Sequence, residues 1–335
     1  MRIAINGFGR IGRTFLRLAL AEGLEVVAIN DLSEPKTMAH LFKYDTVHGV
    51  YKGNVTAEPD ALVIDDQSIP VFSIKHPIQL PWSALKVDVV VDCTGKNLSR
   101  EDAEGHLLSG AKQVIISAPA ADDIPMVVLG VNEDEVDLQS KILSNASCTT
   151  NNIAPMIKIL NDNWGVVEGY ITTIHSMTGD QNLHDGNHKD LRRARAASAS
   201  IIPTTTGAAK AITHIFPELD GKLGGAGIRV PVLNGSLTNF TCILKEKTTI
   251  QDINAAFKTA AQGKFYGILE YTEDPIVSVD IIDNPHSCIF DAQLTSIVGD
   301  LVKVVGWYDN EFGYSSRLID LVKKIKEIKE LAVGS

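Results

Sequence analysis

The segment Ser144-Asn145-Ala146-Ser147-Cys148-Thr149-Thr150-Asn151-Asn152 sets a thiol between hydroxyl residues. Apolar residues then recur at helical spacing, at Ile153, Ile157, Leu160 and Trp164, so Cys148 falls where a helix begins. There the backbone dipole favours thiolate, the nucleophilic form of the side chain. The unpaired N–H groups of a helix start, with Ser147 and Thr149 beside them, suit an oxyanion or a phosphate. A buried structural cysteine is the competing reading, since free thiols commonly pack as small hydrophobes. Hydroxyls on both sides weigh against it.

A nucleophile needs a base, and a strand-like run, Tyr170-Ile171-Thr172-Thr173-Ile174, delivers His175. A histidine at a strand end can take a thiol proton and later return it. Thr178 follows in the next turn. Two further segments suit anions. Thr204-Thr205-Thr206-Gly207 places hydroxyls and a glycine ahead of helical residues, and Arg229 sits between apolar Ile228 and Val230, where a buried guanidinium requires a partner. Arg192-Arg193-Ala194-Arg195 is the dense basic patch, fit for a phosphate, a neighbouring subunit or plain solvent.

An electron acceptor is implied at the other end of the chain. Ile3-Ala4-Ile5-Asn6 reads as a buried strand, followed at once by Gly7-Phe8-Gly9-Arg10-Ile11-Gly12, a helical stretch, a second strand and Asp31. That is the order of a dinucleotide-binding unit. Gly7 permits the turn, Gly9 lets a pyrophosphate approach the backbone, and Gly12 lets helix and strand pack closely. The N–H groups of Arg10 and Ile11 face the phosphates, and Asp31 accepts from ribose hydroxyls while repelling a 2′-phosphate.

These residues need two frameworks. Apolar runs at 87–93, 114–117 and 126–131 continue a strand–helix alternation, predicting a Rossmann-type, doubly wound parallel sheet over residues 1–147. β-Branched runs at 169–176, 226–246, 276–282 and 287–308 predict an α+β catalytic domain with a mostly antiparallel sheet over 148–311. Thr249-Ile250-Gln251-Asp252 reads as a capping box, and an amphipathic helix at 312–335 is expected to pack back on the first domain. At 335 residues two domains are natural. The net charge of −10 argues against a general nucleic-acid or anionic-membrane surface. Cys93, Cys148, Cys242 and Cys288 show neither disulfide nor zinc spacing, so no metal and a reducing compartment are expected. Met1 leads straight into a strand without a secretory pattern, and no apolar run approaches membrane-spanning length.

The chain resembles the phosphorylating glyceraldehyde-3-phosphate dehydrogenases. The similarity runs through residues 6–13, Lys43-Tyr44-Asp45, 144–151, 175–181, 190–195, 201–210, Arg229-Val230-Pro231 and Trp307-Tyr308-Asp309-Asn310-Glu311. It implies that Cys148 attacks the aldehyde with His175 as base, that hydride passes to NAD, and that inorganic phosphate cleaves the resulting thioester to 1,3-bisphosphoglycerate. It further implies that Thr178 and Arg229 hold the substrate phosphate. Ser147, Thr149, Thr206 and Gly207, with Arg193 beside them, would hold the attacking phosphate. Gly7, Gly9, Arg10, Ile11, Gly12, Asp31, Lys75, Ser117 and Asn310 would contact the cofactor. A cytoplasmic homotetramer is implied, in which the loop at 192–195 reaches a neighbour's cofactor site.

The chain departs from that family at four places. Asn152 stands where a second cysteine is usual, which excludes an internal disulfide with Cys148. Met177 replaces a common tyrosine and Phe312 a common tryptophan. Asp185-Gly186-Asn187-His188 replaces an apolar-proline pair, and such a polar loop leaves room for NADP. Two alternatives remain open. Erythrose-4-phosphate dehydrogenase is suggested by Asn284-Pro285-His286-Ser287, but the intact Thr178 and Thr206-Gly207 weigh against it. The other is a non-catalytic, NAD-binding adhesin or regulator.

Overall fold

The computed structural model describes residues 1–120 and 123–333, with side chains described through residue 331. They divide into two compact units, 1–120 and 123–127 with 133–146 and 315–333, and 128–132 with 147–314.

The first unit begins with β1 (Arg2–Asn6), α1 (Arg10–Ala21), β2 (Glu25–Asn30) and α2 (Pro35–Lys43). The short β3 (Tyr44–Asp45) and β4 (Gly49–Val50) pair with each other. After them come β5 (Val55–Glu58), β6 (Ala61–Ile64), β7 (Gln67–Phe72), β8 (Val89–Asp92), α3 (Arg100–Leu108), β9 (Gln113–Ile116) and β10 (Ile142–Ser144). The main sheet runs β10-β9-β8-β1-β2-β7-β6-β5 and is parallel except where β7, β6 and β5 return as antiparallel neighbours. Ile3, Ile5, Val89, Val91 and Ile115 are fully buried, as a sheet covered on both faces requires.

Residues 126–131, expected as a strand, are not one. Met126 makes a single parallel bridge to Ser144, and the chain then turns. Val128 N–H donates to the Asn132 side chain at 2.8 Å, and Val131 N–H returns to Val128 O at 3.1 Å. Beyond that bridge the segment is apolar because a turn is buried there.

The second unit carries α4 (Cys148–Trp164), β11 (Val166–Ser176), β12 (Ile202–Thr204), α5 (Ala208–Ile215), β13 (Leu223–Val230), β14 (Ser236–Leu244) and α6 (Ile250–Gln262). Then follow β15 (Leu269–Thr272), β16 (Cys288–Asp291), β17 (Ser296–Val298) and β18 (Leu301–Tyr308). The chain ends in α7 (Phe312–Val333). The sheet runs β12-β13-β11-β14-β18-β16-β15, with β17 on β18. It is mostly antiparallel, β11–β13 and β15–β16 being parallel. α4 packs on β14 and β18, burying Ile153, Ile157 and Leu160. Thr249 is the N-cap of α6, its Oγ1 accepting from Asp252 N–H at 3.1 Å and donating to the Asp252 carboxylate at 2.7 Å, so one half of the capping box forms.

The expected run at 226–246 is two strands. Pro231 has no N–H to donate to a ladder, and Gly235 takes φ +88°, where a Cβ would lie 2.3 Å from Ser278 O. Residues 276–282 form no strand. Ile276 N–H bonds to Asp274 O at 2.9 Å and Val277 N–H to Asp280 Oδ2 at 2.7 Å, local bonds that take the donors a ladder would use.

Candidate active site

Ala146, fully buried at φ +56°, bends the chain ahead of the nucleophile, in a region costly to a residue with a Cβ. Ser147 is the N-cap of α4, accepting from Thr150 N–H at 3.0 Å. Cys148 is therefore the first helical residue. The N–H groups of Cys148 and Thr149 at this helix start, with the Thr149 hydroxyl, favour its thiolate. Sγ lies 3.5 Å from His175 Nε2. Cysteine and histidine thus meet at a dipole-positive helix start.

His175 reaches this point from the end of β11. Its Nδ1 is 2.8 Å from Ser176 O and 2.6 Å from an Arg229 guanidinium nitrogen, which also donates to Ser176 O at 3.0 Å. Guanidinium only donates, so Nδ1 answers one of these neighbours at a time. With its proton toward Ser176 O, Nε2 is left as the base facing the thiol. Burial pushes the Cys148 thiol up, although the Arg229 charge and the neighbouring Thr149 N–H and hydroxyl pull the other way. Burial and then the Arg229 charge push His175 down to about 3. Thiol and imidazole accordingly stand neutral at rest.

Two residues that the linear reading did not single out complete the geometry. The Tyr308 hydroxyl is 2.9 Å from Thr149 Oγ1 and 3.0 Å from Thr173 Oγ1, and its ring stands edge-on to His175. Asp180 accepts from the Thr178 hydroxyl and, at 2.5 Å, from Arg193. Despite its burial, those contacts and the Arg229 charge hold the Asp180 carboxyl below its usual range. Thr178 and Arg193 thereby share one carboxylate, which the Arg229 charge also favours. The signals were modest ones: a tyrosine in a β-branched strand, and an acid two residues beyond Thr178.

The hydrogen bonds above do not reach Thr206 and Gly207. These open α5, where Thr206 Oγ1 accepts from Ala208 N–H at 3.2 Å and a Cβ at Gly207 would meet open space. Asn310 Oδ1 accepts from the hydroxyls of Ser176 at 2.9 Å and Ser236 at 2.8 Å. That fixes the amide orientation and leaves its NH2 as the group able to donate to a ligand carboxamide. Asn152 Nδ2 donates to Ser287 O at 3.3 Å and Trp307 O at 3.2 Å, a structural use of the position expected to hold a thiol. In the polar loop, Asp185 accepts from Arg195 Nε and Ala196 N–H, both at 2.9 Å.

In the first unit the glycine turn fits a pyrophosphate. A Cβ at Gly7 would lie 2.8 Å from Thr94 N and one at Gly12 2.1 Å from Gly7 O, whereas one at Gly9 would meet nothing within 4 Å. The backbone is thus packed from behind and open in front. Gly9 is the N-cap of α1 and has no side chain to cap the N–H groups of Arg10 and Ile11. Arg10 pairs with Asp45. Burial would raise the Asp45 carboxyl, but its hydrogen bonds, that from Arg10 foremost, bring it down to about 2. Asp31 is held by Phe8 N–H at 2.7 Å and Ser33 N–H at 2.8 Å. Lys75 is exposed beside Ile74, and Ser117 N–H donates to Asp92 O at 2.9 Å.

Family models of the "Glyceraldehyde 3-phosphate dehydrogenase, NAD binding domain" and the corresponding "C-terminal domain" match residues 1–100 and 147–310. The chain is similar to "Glyceraldehyde-3-phosphate dehydrogenase 2" of Streptomyces avermitilis, 52% identical over 96% of this chain and 97% of that one. It is 53% identical to the glyceraldehyde-3-phosphate dehydrogenases of Mycobacterium avium and Mycolicibacterium smegmatis, at the same coverage.

Proposed function

The chain belongs to the glyceraldehyde-3-phosphate dehydrogenase family and is an NAD-dependent oxidoreductase of glycolysis, and we propose that Cys148 is the acyl carrier of its reaction. The 3.5 Å pairing of Cys148 and His175 at the start of α4 carries this reading. As Sγ attacks the aldehyde carbon of glyceraldehyde 3-phosphate, Nε2 takes the thiol proton. His175 gives that proton to the hemithioacetal oxyanion and recovers it as the carbonyl re-forms. NAD, when bound, supplies the hydride acceptor for that oxidation. Inorganic phosphate then attacks the thioester carbon, the C–S bond breaks, and the departing sulfur takes the proton back from His175. The product is 1,3-bisphosphoglycerate.

Thr178 and Arg229 are the residues proposed for the substrate phosphate. A phosphate at Arg229 offsets the charge that holds His175 down, so the base strengthens as substrate arrives. Ser147, Thr149, Thr206, Gly207 and Arg193 are proposed for the attacking phosphate. Gly7, Gly9, Arg10, Ile11, Gly12, Asp31, Lys75 and Ser117 are proposed for the dinucleotide, with the Asn310 amide for its carboxamide. The tethered Asp31 carboxylate favours NAD over NADP by repulsion of a 2′-phosphate.

The domain assignment (NAD binding at 1–147, catalysis at 148–311), a homotetramer and a cytoplasmic location belong to the same proposal. Among the described residues no helix is long and apolar enough to cross a membrane. Assay of NAD and NADP reduction with glyceraldehyde 3-phosphate and erythrose 4-phosphate, with and without phosphate or arsenate, tests it. Turnover is expected with glyceraldehyde 3-phosphate and NAD when either anion is present. Equal rates without them would point to hydrolysis instead.

A further inference from the structure

β8, β1 and β2 are neighbours in the parallel sheet, and each ends on a buried polar residue, Asp92, Asn6 and Asn30. The register sets Asn6 opposite both others. Asn30 Nδ2 donates to Asn6 Oδ1 at 2.7 Å, and Asn6 Nδ2 donates to Asp92 Oδ2 at 2.8 Å. Behind them lies His106 of α3, fully buried. Trp82 Nε1–H donates to its Nδ1 at 2.9 Å. Indole nitrogen only donates, so the His106 proton sits on Nε2, which lies 3.4 Å from Asp92 Oδ2. The 3.2 Å approach of His106 Nε2 to Asn6 Nδ2 is then that of two donors converging on one carboxylate oxygen.

This chain of bonds surfaces at both ends. At one end the Asp92 carboxylate accepts from Thr94 N–H at 2.9 Å, Thr94 Oγ1 at 2.6 Å and Asn97 Nδ2 at 2.9 Å. At the other, Asn30 donates to Ile74 O and accepts from Ile74 N–H, both at 2.9 Å, just before Lys75. In the middle, Gly7 N–H donates to Asn30 O and Cys93 N–H to Asn6 O, both at 2.7 Å. A core packing role alone would be served by apolar residues at less desolvation cost. Fully satisfied buried networks instead fix one geometry, and the segments fixed here lie at the carboxyl edge of a parallel sheet.

We propose that His106, Asp92, Asn6 and Asn30 are positioning residues for the dinucleotide: the buried network from Trp82 to Ile74 holds the Gly7 turn, the loop at 94–97 and the segment at 74–75 in one register. The proposal rests on the first unit being the NAD-binding unit. Calorimetric titration of NAD into the full chain tests it, comparing wild type with His106→Leu, His106→Gln and Asn97→Ala. Leucine strips both an acceptor and a donor. Glutamine offers a carbonyl to Trp82 and an N–H to Asp92. His106→Leu should raise the dissociation constant for NAD about tenfold, and His106→Gln should stay within about twofold of wild type. The KM for NAD should follow, with the KM for the aldehyde unmoved. Asn97→Ala, at the network's surface end, should weaken NAD about threefold. A His106→Leu chain that melts earlier yet binds NAD like wild type would overturn the proposal. If that variant does not fold, unchanged NAD affinity in Asn97→Ala overturns it. Failure of the wild type to bind NAD would instead refute the underlying reading of the first unit.

Discussion

Tyr308→Phe is the most informative substitution at the candidate active site because it removes one oxygen and keeps the ring. The hydroxyl is buried, with Thr149 Oγ1 at 2.9 Å and Thr173 Oγ1 at 3.0 Å. The Thr149 hydroxyl beside Cys148 favours the thiolate, and its hydrogen bond with Tyr308 limits how it turns. Tyr308 therefore holds the Thr149 rotor in place. Thr173 keeps a second partner, Leu237 O at 3.3 Å, and is less affected. One buried oxygen is left unpartnered, costing about 1–2 kcal/mol of stability. Releasing Thr149 forfeits part of what its hydroxyl contributes to the thiolate. That is about 1 kcal/mol of thiolate stabilisation, and its loss pushes the thiol further up. Iodoacetamide alkylation of Cys148, followed across pH, should then slow about 3- to 10-fold wherever the thiol is mostly protonated. An unchanged alkylation profile beside a lowered melting temperature would show that Tyr308 only packs, refuting the relay.

Other outcomes follow from the same geometry. Arg229→Ala should raise KM for glyceraldehyde 3-phosphate by roughly 10- to 100-fold, since a charge-assisted bond is worth about 1.5–3 kcal/mol, and Arg229→Lys should recover part of it; an unchanged KM would remove Arg229 from the substrate phosphate site. His175→Asn should lower kcat by about 10²- to 10⁴-fold while leaving NAD affinity intact, as read by calorimetry and steady-state kinetics. The lowered Asp45 carboxyl predicts a pH-dependent contribution. Its folded value lies below the ordinary one, so its stabilisation is present above about pH 4 and is lost as pH falls toward about 2. The gap in melting temperature between wild type and Asp45→Asn should therefore be widest near neutrality and close in acid. A gap that persists at about pH 2 would count against the Arg10–Asp45 pair as its source.

The fold was readable wherever a local pattern has a local cause. Gly7, Gly9 and Gly12 between two apolar strands announce a nucleotide turn because each glycine answers a different steric demand, and Thr249 with Asp252 announces a helix start. Periodicity failed where burial and pairing part company. The apolar stretch at 126–131 is buried in a turn, and Val277 and Val279 of the stretch at 276–282 are β-branched but exposed. The parallel partnership of β11 with β13 was equally out of reach, since alternation reveals a strand's faces and not its neighbour. At the candidate site, residue type and spacing lead to Cys148, His175 and Arg229. They do not lead to Tyr308, which enters from the last strand more than a hundred residues away, or to Asp180 as the carboxylate shared by Thr178 and Arg193. Those roles exist only once the chain has folded.

The central claim, that Cys148 carries the acyl group, is met most directly by trapping. The full chain is mixed with NAD and glyceraldehyde 3-phosphate in phosphate-free buffer, quenched in acid and mapped by peptide mass spectrometry. A phosphoglyceryl thioester on the peptide bearing Cys148 is predicted, absent in Cys148→Ser and discharged when phosphate is added before the quench. An adduct on any other residue, or turnover without an acyl-enzyme on Cys148, would contradict it.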